Sequence, residues 1–307
     1  MGDERLAGFS PRTADKVERL LDLLEEIGDH PLLRGKLALH GGTALNLFML
    51  DIPRLSVDID VSYVGALEKD EMLAERPFIE RGIQEAARAQ GYSVSGGEGG
   101  HAGRTFVLNY RSQWGPDLVK VDCVYLNRSP VLPPVKRATP LRPSLDVLSF
   151  DDSELIGSKV KAFFDRVKVR DLYDIANLET LMSKMGEADE LLAHAMVLYY
   201  ASLSASFPFG FDQRPQRFEG LENELRDQLH PMLSERDSKP DLETLIRSAE
   251  AFVESRVLPR TEPEHEYLSH FAQGNYHPEL LFEDEGMVRA AKVSPQAQWK
   301  LSNLKRM

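Results

Sequence analysis

The stretch LHGGTALNLFMLDIPRLSVDIDVSY, residues 39–63, decides how the first part of this chain folds. It passes through two glycines into an apolar run with helical spacing, and it ends in alternating apolar and acidic residues. Glycines beside a periodic segment are typical of a tight turn, and strict alternation is typical of a half-buried β-strand. The stretch therefore predicts a glycine turn, a helix, and then a strand that carries charged side chains.

The charged side chains of that strand are two aspartates. Residues two apart on a strand project from the same face, so Asp58 and Asp60 are predicted to lie side by side while Ile59 faces the core. Neighbouring carboxylates repel each other, and a divalent cation relieves that repulsion. Proteins commonly hold Mg²⁺ through one or two carboxylates together with substrate phosphates. The pair therefore predicts an Mg²⁺ (or Mn²⁺) site that serves a bound nucleotide.

A third carboxylate occurs on a later alternating segment, VKVDCVYL, residues 119–126. Asp122 is predicted to share a strand face with Lys120 and Val124, where it could bridge two metal ions of the kind that stabilise phosphoryl displacement. Strand carboxylates also occur on solvated outer faces that bind nothing. The spacing alone leaves both interpretations open.

The glycine turn is suited to binding the phosphates of the same nucleotide. Gly41 and Gly42 lie between a predicted strand and a predicted helix, where the backbone can approach a phosphate and the helix N-terminus presents free N–H groups. Thr43 can add a hydroxyl. The turn lacks the lysine of the P-loop pattern, and a tight turn without a ligand is an equal interpretation.

Periodicity also predicts the fold class and the domain organisation. Residues 1–150 are predicted to form an α/β (α+β) core with a small mixed β-sheet, and residues 151–307 a mostly α-helical C-terminal domain. Pro77 is expected to break the helix predicted over residues 67–90. The proline-rich stretch 128–144 is expected to be a connection.

Charge and cysteine content limit the location and the partners. The formal net charge is −12, which opposes a protein that coats nucleic acid through a basic surface. Two basic stretches, residues 133–142 and 158–170, could still form a local groove for RNA. The single cysteine and the lack of an apolar run long enough for a membrane helix predict a cytoplasmic protein with no membrane contact.

Three basic residues of the second stretch, residues 158–170, recur at helical spacing. Lys159, Arg166 and Arg170 are separated by seven and four residues, which predicts one basic helix face suited to a polyphosphate. A solvated basic face is the alternative.

Two sequence blocks resemble a known family. GGTALNL and PRLSVDIDV in the first block, and ELIGSKVKAFFDRVKVRDLYDIANL, residues 154–178, resemble the AbiEii/AbiGii nucleotidyltransferase toxins of type IV toxin–antitoxin systems, which include MenT-like toxins. The resemblance implies a nucleotidyltransferase core followed by a helical domain. It implies transfer of a nucleoside monophosphate from an NTP to an acceptor hydroxyl, which for some members is the 3′ end of tRNA, so that translation is blocked. It also implies an antitoxin encoded nearby.

The resemblance assigns a role to each matching residue. The metal ligands would be Asp58, Asp60 and Asp122, with Asp122 also the base. The triphosphate would be held at the glycine turn and contacted by Lys159. The full set of implied catalytic and nucleotide-binding residues is Gly41, Gly42, Thr43, Ser56, Asp58, Asp60, Asp122, Lys159, Arg166, Arg170 and Asp171. Whether Asp171 or Asp174 faces the nucleotide is left open, and Asp171 is preferred.

The sequence is compatible with three alternatives. Ser56 could only satisfy backbone groups, or a kinase-type antitoxin could phosphorylate it and add negative charge beside the metal carboxylates. The enzyme could act on a small molecule, as antibiotic-modifying nucleotidyltransferases of the aminoglycoside type do, and an acidic chain favours a cationic acceptor. The chain could also be a nucleotide-binding protein without turnover.

Overall fold

The structure is a computed structural model that describes residues 4–97, 99–166, 168–208, 218 and 220–306. The chain forms two compact units. The first contains residues 1–150 and 232–237, and the second contains residues 151–231 and 238–307. Among the described residues, no helix is both long and apolar enough to cross a membrane.

The described residues of the first unit form a seven-stranded mixed sheet in the order β3-β4-β5-β2-β1-β7-β6. The strands are β1 Leu37–His40, β2 Asp58–Tyr63, β3 Ser93–Ser95, β4 Gly103–Ser112, β5 Gly115–Val124, β6 Val135–Thr139 and β7 Arg142–Ser149. The central strand β2 is antiparallel to β1 and parallel to β5. Residues 39–63 therefore supply the end of β1 and the whole of the adjacent central strand β2.

Helices of the first unit cover the sheet and connect its strands. A 3₁₀ turn at Glu4–Leu6 precedes α1, Pro11–Asp29, and the single-turn α2, Gly41–Thr43, continues as a π-helical segment, Ala44–Met49; α3 is Lys69–Ala89. The residues that α1 buries recur at helical spacing, so this helix has one apolar face.

The prediction of a helix break at Pro77 is wrong, because α3 runs through this residue. Proline removes an N–H and clashes with the carbonyl four residues earlier. Pro77 and Leu73, the residue four positions before it, are both exposed. The carbonyl that loses its helical partner is therefore on the solvent side, where water can satisfy it.

The prediction of an irregular connection over 128–144 is also wrong. Within this stretch β6 forms and β7 begins, and the two strands pair antiparallel. Proline is tolerated at edge strands and strand starts, and β6 is an edge strand of the sheet. Pro140 lies in the turn between the strands, and Pro143 is the second residue of β7.

The second unit is helical over its described residues, so the predicted fold class is confirmed. Its α-helices are α4 Asp152–Asp165, α5 Val169–Met182, α6 Glu187–Ser202, α7 Leu221–Glu224, α8 Leu242–Phe252, α9 Glu262–Ala272, α10 Glu285–Val293 and α11 Pro295–Leu304. Short π-helical segments, Leu225–Leu229 and Val253–Val257, extend α7 and α8, and 3₁₀ turns occur at His230–Met232 and Pro278–Leu280.

Two local features fix the position of α4. Asp151 caps its start, because the side chain accepts a hydrogen bond of 2.9 Å from the Ser153 N–H. Gly157 lets α4 approach α6 closely, since a Cβ at that position would lie 2.6 Å from the Met196 carbonyl oxygen. The α4–α6 pair thus forms a tightly packed centre for the second unit.

Candidate active site

Three carboxylates lie on one face of the sheet in the first unit. The parallel register of β2 and β5 places Asp60 directly opposite Asp122 and Asp58 opposite Lys120. Paired strands lie about 4.8 Å apart, so Asp60 and Asp122 are neighbours. The three carboxylates are half-buried, whereas Ile59 on the opposite face is fully buried. The sheet thus brings together the three carboxylates that the sequence singled out.

Two more polar side chains extend this row across four strands. Thr105 of β4 lies opposite Asp122, and His40 of β1 lies opposite Asp60. Thr105 Oγ1 donates a hydrogen bond to Asp122 Oδ1. Thr105 could not be predicted from the sequence, because the register between two strands cannot be read from either strand alone.

The His40 ring is held by packing. It stacks on Phe150, with ring centroids 5.2 Å apart, and its Nε2 has no hydrogen-bond partner among the described residues. Burial lowers the pKa of His40 to about 4, since a desolvated imidazolium is costly. His40 is therefore neutral at pH 7 and adds no positive charge beside Asp60.

The glycine turn packs directly against the carboxylate row. Gly41 has a φ of +70°, a conformation that L-residues rarely adopt. A Cβ on Gly41 would lie 2.8 Å from Asp60 Cγ, so a side chain there would displace the carboxylate. Gly41 is required both by its backbone conformation and by its closeness to Asp60.

Thr43 connects this turn to β2, the strand that carries Asp58 and Asp60, through a hydrogen bond. Its side chain is fully buried, and its Oγ1 donates a hydrogen bond to the backbone oxygen of Asp58. One turn later, Asn46 Nδ2 donates to the Gly42 carbonyl at 3.0 Å. The phosphate contact predicted for Thr43 stays a prediction, and in this conformation the hydroxyl joins α2 to β2.

Arg54 is a charged residue of this region to which the sequence analysis gave no role. Its exposed fraction is 2%, that of Ser56 is 4%, and arginine is rarely buried to this extent. A Cβ on Gly42 would lie 3.0 Å from Arg54 Nη2 and 3.2 Å from Ser56 Oγ. A guanidinium and a hydroxyl therefore lie against the glycine turn.

Three predicted site residues of the second unit, Lys159, Arg166 and Asp171, form an ionic cluster with Asp174. Lys159 of α4 pairs with Asp171 at 2.6 Å and with Asp174 at 2.5 Å. All three side chains are buried. Arg166 is largely exposed, and its Nε lies 3.6 Å from Asp171 Oδ2. Both aspartates that the sequence left as alternatives thus contact the same lysine.

The predicted basic helix face through Lys159, Arg166 and Arg170 is wrong. The helix α4 ends at Asp165, and α5 begins at Val169. Because Lys159 and Arg170 belong to different helices, their spacing of eleven residues does not place them on one face.

Several other cations of the basic stretches are engaged in ion pairs within their own units. In the first unit, Lys136 pairs with Asp146 at 2.6 Å, and Arg142 pairs with two acids of α1. In the second unit, Lys161 pairs with Asp165, and Lys168 pairs with an acid of α7. These pairs reduce the positive charge available to a polyanion.

The carboxylate row suits a hard divalent cation by residue type, since Mg²⁺ and Mn²⁺ prefer carboxylate oxygens. Over the described part of the chain, no three His, Cys, Asp or Glu side chains form a group that could hold a metal ion as they stand. One oxygen of Asp122 accepts from Thr105. The residues therefore fit the cation by type and by register, and binding requires the carboxylates to converge further.

The fold is similar to that of MenT4, a nucleotidyltransferase toxin from Mycobacterium tuberculosis. The TM-score is 0.51 at 14% sequence identity, over 98% of this chain and 96% of that chain. JHP933 from Helicobacter pylori matches with a TM-score of 0.45 and 15% identity, over 86% of this chain and 96% of that one. No curated protein sequence matches this chain.

The family is shown by the sequence itself. The model of the AbiEii family, nucleotidyl transferase toxins of type IV toxin–antitoxin systems, matches residues 22–259, which is more than half of the chain. The protein is therefore a nucleotidyltransferase. It belongs to the AbiEii family, as the two sequence blocks predicted, and the family pairs such toxins with an antitoxin.

Proposed function

We propose that this protein transfers a nucleoside monophosphate from an NTP to a hydroxyl at the 3′ end of tRNA, in a reaction that depends on Mg²⁺ or Mn²⁺ and blocks translation. One observation carries the proposal: Asp60 is in register with Asp122, and the Gly41 backbone packs against Asp60. A glycine turn against a carboxylate row is what adjacent triphosphate and metal sites require.

Asp58, Asp60 and Asp122 are the proposed metal ligands. When bound, a divalent cation supplies charge neutralisation on the triphosphate and makes the acceptor hydroxyl more acidic. Two of the ligands come from β2 and one from β5. Strands hold such side chains more precisely than loops do.

The glycine turn and Arg54 are the proposed triphosphate-binding elements. The first N–H groups of a helix have no partner within the helix and can bind an anion, and a guanidinium forms charge-assisted hydrogen bonds with phosphate oxygens. Arg54 Nη1 already donates to the Leu55 carbonyl at 3.0 Å. This contact holds the guanidinium in place for the phosphates.

In the proposed reaction the acceptor hydroxyl oxygen attacks the α-phosphorus in line with the leaving group. The hydroxyl proton moves to a carboxylate oxygen of Asp122. The bond between the α-phosphorus and the bridging oxygen breaks, and pyrophosphate leaves with that electron pair. The α-phosphoryl group is then joined to the acceptor.

Lys159, Arg166, Arg170 and Asp171 remain proposed nucleotide-binding residues. The buried pairs of Lys159 with two aspartates also give this lysine a structural task. Variants at Lys159 must therefore be tested for folding as well as for activity.

The charge distribution supports tRNA recognition through few phosphate contacts. The chain is acidic overall, and several cations of its basic stretches are paired internally. Each phosphate contact contributes about one unit to the slope of log affinity against log salt. We expect a shallow salt dependence for tRNA binding.

We also propose that the protein acts in the cytoplasm and is controlled by its antitoxin. Ser56 is almost fully buried against the glycine turn. An antitoxin that phosphorylates Ser56 would reach the hydroxyl only after local opening of this turn. Phosphate there would repel the NTP and the neighbouring carboxylates.

The test is incubation of the purified protein with total tRNA, Mg²⁺ and each α-³²P-labelled NTP in turn. Wild type is compared with the double variant Asp58→Asn/Asp60→Asn, whose folding is checked by circular dichroism. Label on tRNA with one preferred NTP, absent from the variant, supports the proposal. Nuclease mapping then locates the added nucleotide at the 3′ end.

A small cationic acceptor is the second candidate, because the net charge of −12 favours it. Metal-dependent labelling of an aminoglycoside, with none on tRNA, would overturn the proposed acceptor and keep the enzyme class. NTP binding without transfer to tRNA, protein or antibiotic would favour a non-catalytic role.

A further inference from the structure

Thr105 provides a neutral contact to the carboxylate of Asp122. It belongs to β4, seventeen residues before Asp122 in sequence, and the antiparallel register places the two residues opposite each other. Its Oγ1 donates a hydrogen bond to Asp122 Oδ1. Asp122 is the one proposed metal ligand outside β2, so the orientation of its carboxylate depends on its neighbours across the sheet.

The backbone around Thr105 is closely packed. Gly97 lies so near that a Cβ on it would collide with the Thr105 carbonyl. At the start of β4, a Cβ on Gly103 would lie 2.7 Å from the Cys123 carbonyl oxygen. Gly97 and Gly103 thus allow β4 to lie close against its neighbours.

We propose that Thr105 is a positioning residue for the metal site of the nucleotidyltransferase. Its hydroxyl holds one oxygen of Asp122, so that the other oxygen is directed at the cation and the acceptor hydroxyl. A hydroxyl carries a single proton, and here that proton is used on Asp122. Threonine suits this role better than serine, because its branched Cβ restricts χ1.

The hydrogen bond from Thr105 to Asp122 favours a role for Thr105 in orienting a metal ligand over direct contact with the substrate. Hydrogen-bond partners that orient metal ligands change metal affinity by about 10–100-fold when they are removed. A hydroxyl that only filled space would be replaced by a methyl group without such a loss. The inference rests on the proposed function, since it takes Asp122 as a metal ligand.

The test measures Mn²⁺ affinity by electron paramagnetic resonance on the full-length protein in the absence of NTP. Thr105→Val removes the hydroxyl at nearly constant volume, and Thr105→Ser keeps it. Asp122→Asn measures how much Mn²⁺ affinity depends on the proposed ligand. We expect Mn²⁺ affinity to fall about 10-fold or more in Thr105→Val and to recover to within about threefold of wild type in Thr105→Ser. With saturating Mn²⁺ and labelled NTP, the kcat of Thr105→Val should fall while the KM for tRNA stays constant.

Thr139→Val is the matched control. Thr139 is also a strand threonine of the first unit, and its buried hydroxyl donates to the Leu47 carbonyl. Its loss should lower the melting temperature and leave Mn²⁺ affinity unchanged. This control separates loss of any threonine hydroxyl from loss of the one on Asp122.

Two results separate failure of the inference from failure of the proposed function. If wild type binds Mn²⁺, Asp122→Asn does not, and Thr105→Val binds like wild type, the inference about Thr105 is overturned and the metal site stands. If wild type itself binds no Mn²⁺, or Asp122→Asn binds it normally, the proposed metal site fails first, and the inference fails with it.

Discussion

Two acidic groups of this protein use the same residue type in opposite ways. In the second unit, Asp171 and Asp174 are buried and both pair with Lys159. In the first unit, Asp58, Asp60 and Asp122 lie half-buried on one sheet face, and Asp122 receives a hydrogen bond from a neutral hydroxyl. Buried carboxylates need a cation from the chain itself, whereas half-exposed ones can take a cation from solution. The difference separates an acidic cluster whose charge is balanced by a lysine of the same unit from a carboxylate row suited to an added cation, and Lys159 and Asp171 keep their proposed contacts with the nucleotide.

The largest effect is expected from Lys159→Met. The substitution leaves two buried carboxylates without their lysine, and loss of one partner of a buried ion pair costs about 3–5 kcal/mol. The free energy of unfolding, measured by urea titration with circular dichroism, should fall by that order. Lys161→Met is the matched control, because Lys161 makes an i,i+4 pair with Asp165, and such pairs contribute about 0.3–0.5 kcal/mol. Equal free energies of unfolding for the two variants would show that the pairs of Lys159 with Asp171 and Asp174 do not stabilise the fold.

Asp58→Asn and Asp60→Asn test the other acidic group. We expect transfer of labelled nucleotide to fall about 100- to 1000-fold, the scale for losing one preorganised electrostatic contact to a transition state. The melting temperature should hold or rise, since removing a like charge relieves repulsion.

Asp117→Asn provides the control for these variants. Asp117 also belongs to β5, and it pairs with Arg12 and Lys16 of α1. Its loss should reduce stability and spare transfer. Activity that survives Asp58→Asn with a large loss of stability would mean that the first acidic group is structural too.

Gly41→Ala tests how closely the turn and the carboxylate row depend on each other. Gly41 and Gly35 have φ values of +70° and +73°, so alanine at either site costs about 1–2 kcal/mol of backbone strain. Nothing lies within 4 Å of a Cβ on Gly35, whereas a Cβ on Gly41 meets the Asp60 carboxylate. Thermal melts should show a larger loss for Gly41→Ala, and only this variant should lose transfer. Equal activity in both would argue that Asp60 tolerates displacement.

The smallest effect is expected in the pH dependence of stability, through His194 in the second unit. His194 is buried, and its Nδ1 donates to the Arg256 carbonyl at 3.0 Å. Burial, with a contribution from Arg260, lowers the pKa of His194 below 6.5. The unfolded chain then binds a proton that the folded chain excludes, so the free energy of unfolding falls as the pH drops below about 6.5, by at most about 1.4 kcal/mol per pH unit.

His194→Asn should flatten this dependence. Urea titrations at about pH 7.5 and 5.5, on wild type and variant, give the difference attributable to His194. A wild type that is equally stable at both values, or a variant with the same slope as wild type, would contradict the assignment.

The sequence predicted which strand face carries the candidate site, because alternation is a local property. Asp58 and Asp60 share a face by strand geometry alone, and the glycine turn was visible in the printed residues. Thr105 and Arg54 were missed, since their proximity to Asp122 and Gly42 comes from strand register and from the path of the chain before β2.

Two of the errors come from reading a local pattern that fits more than one structure. Spacing indicated one basic helix where α4 ends and α5 begins, because the spacing of charged residues does not show where a helix ends. Proline content suggested a connection where β6 and β7 pair at the sheet edge. For β6 and β7, pairing across the sheet edge selected the strand structure.

The sequence by itself determined the family, the nucleotidyltransferase class, and the strand face that Asp58 and Asp60 share, because these depend on residue type and on separations of a few positions. Only the tertiary structure decided that Asp60 stands opposite Asp122, that Thr105 binds Asp122, and that Lys159 is buried between two aspartates. Strand register and helix packing bring together residues from distant parts of the chain, and the free energy that selects them comes from burial of the whole core.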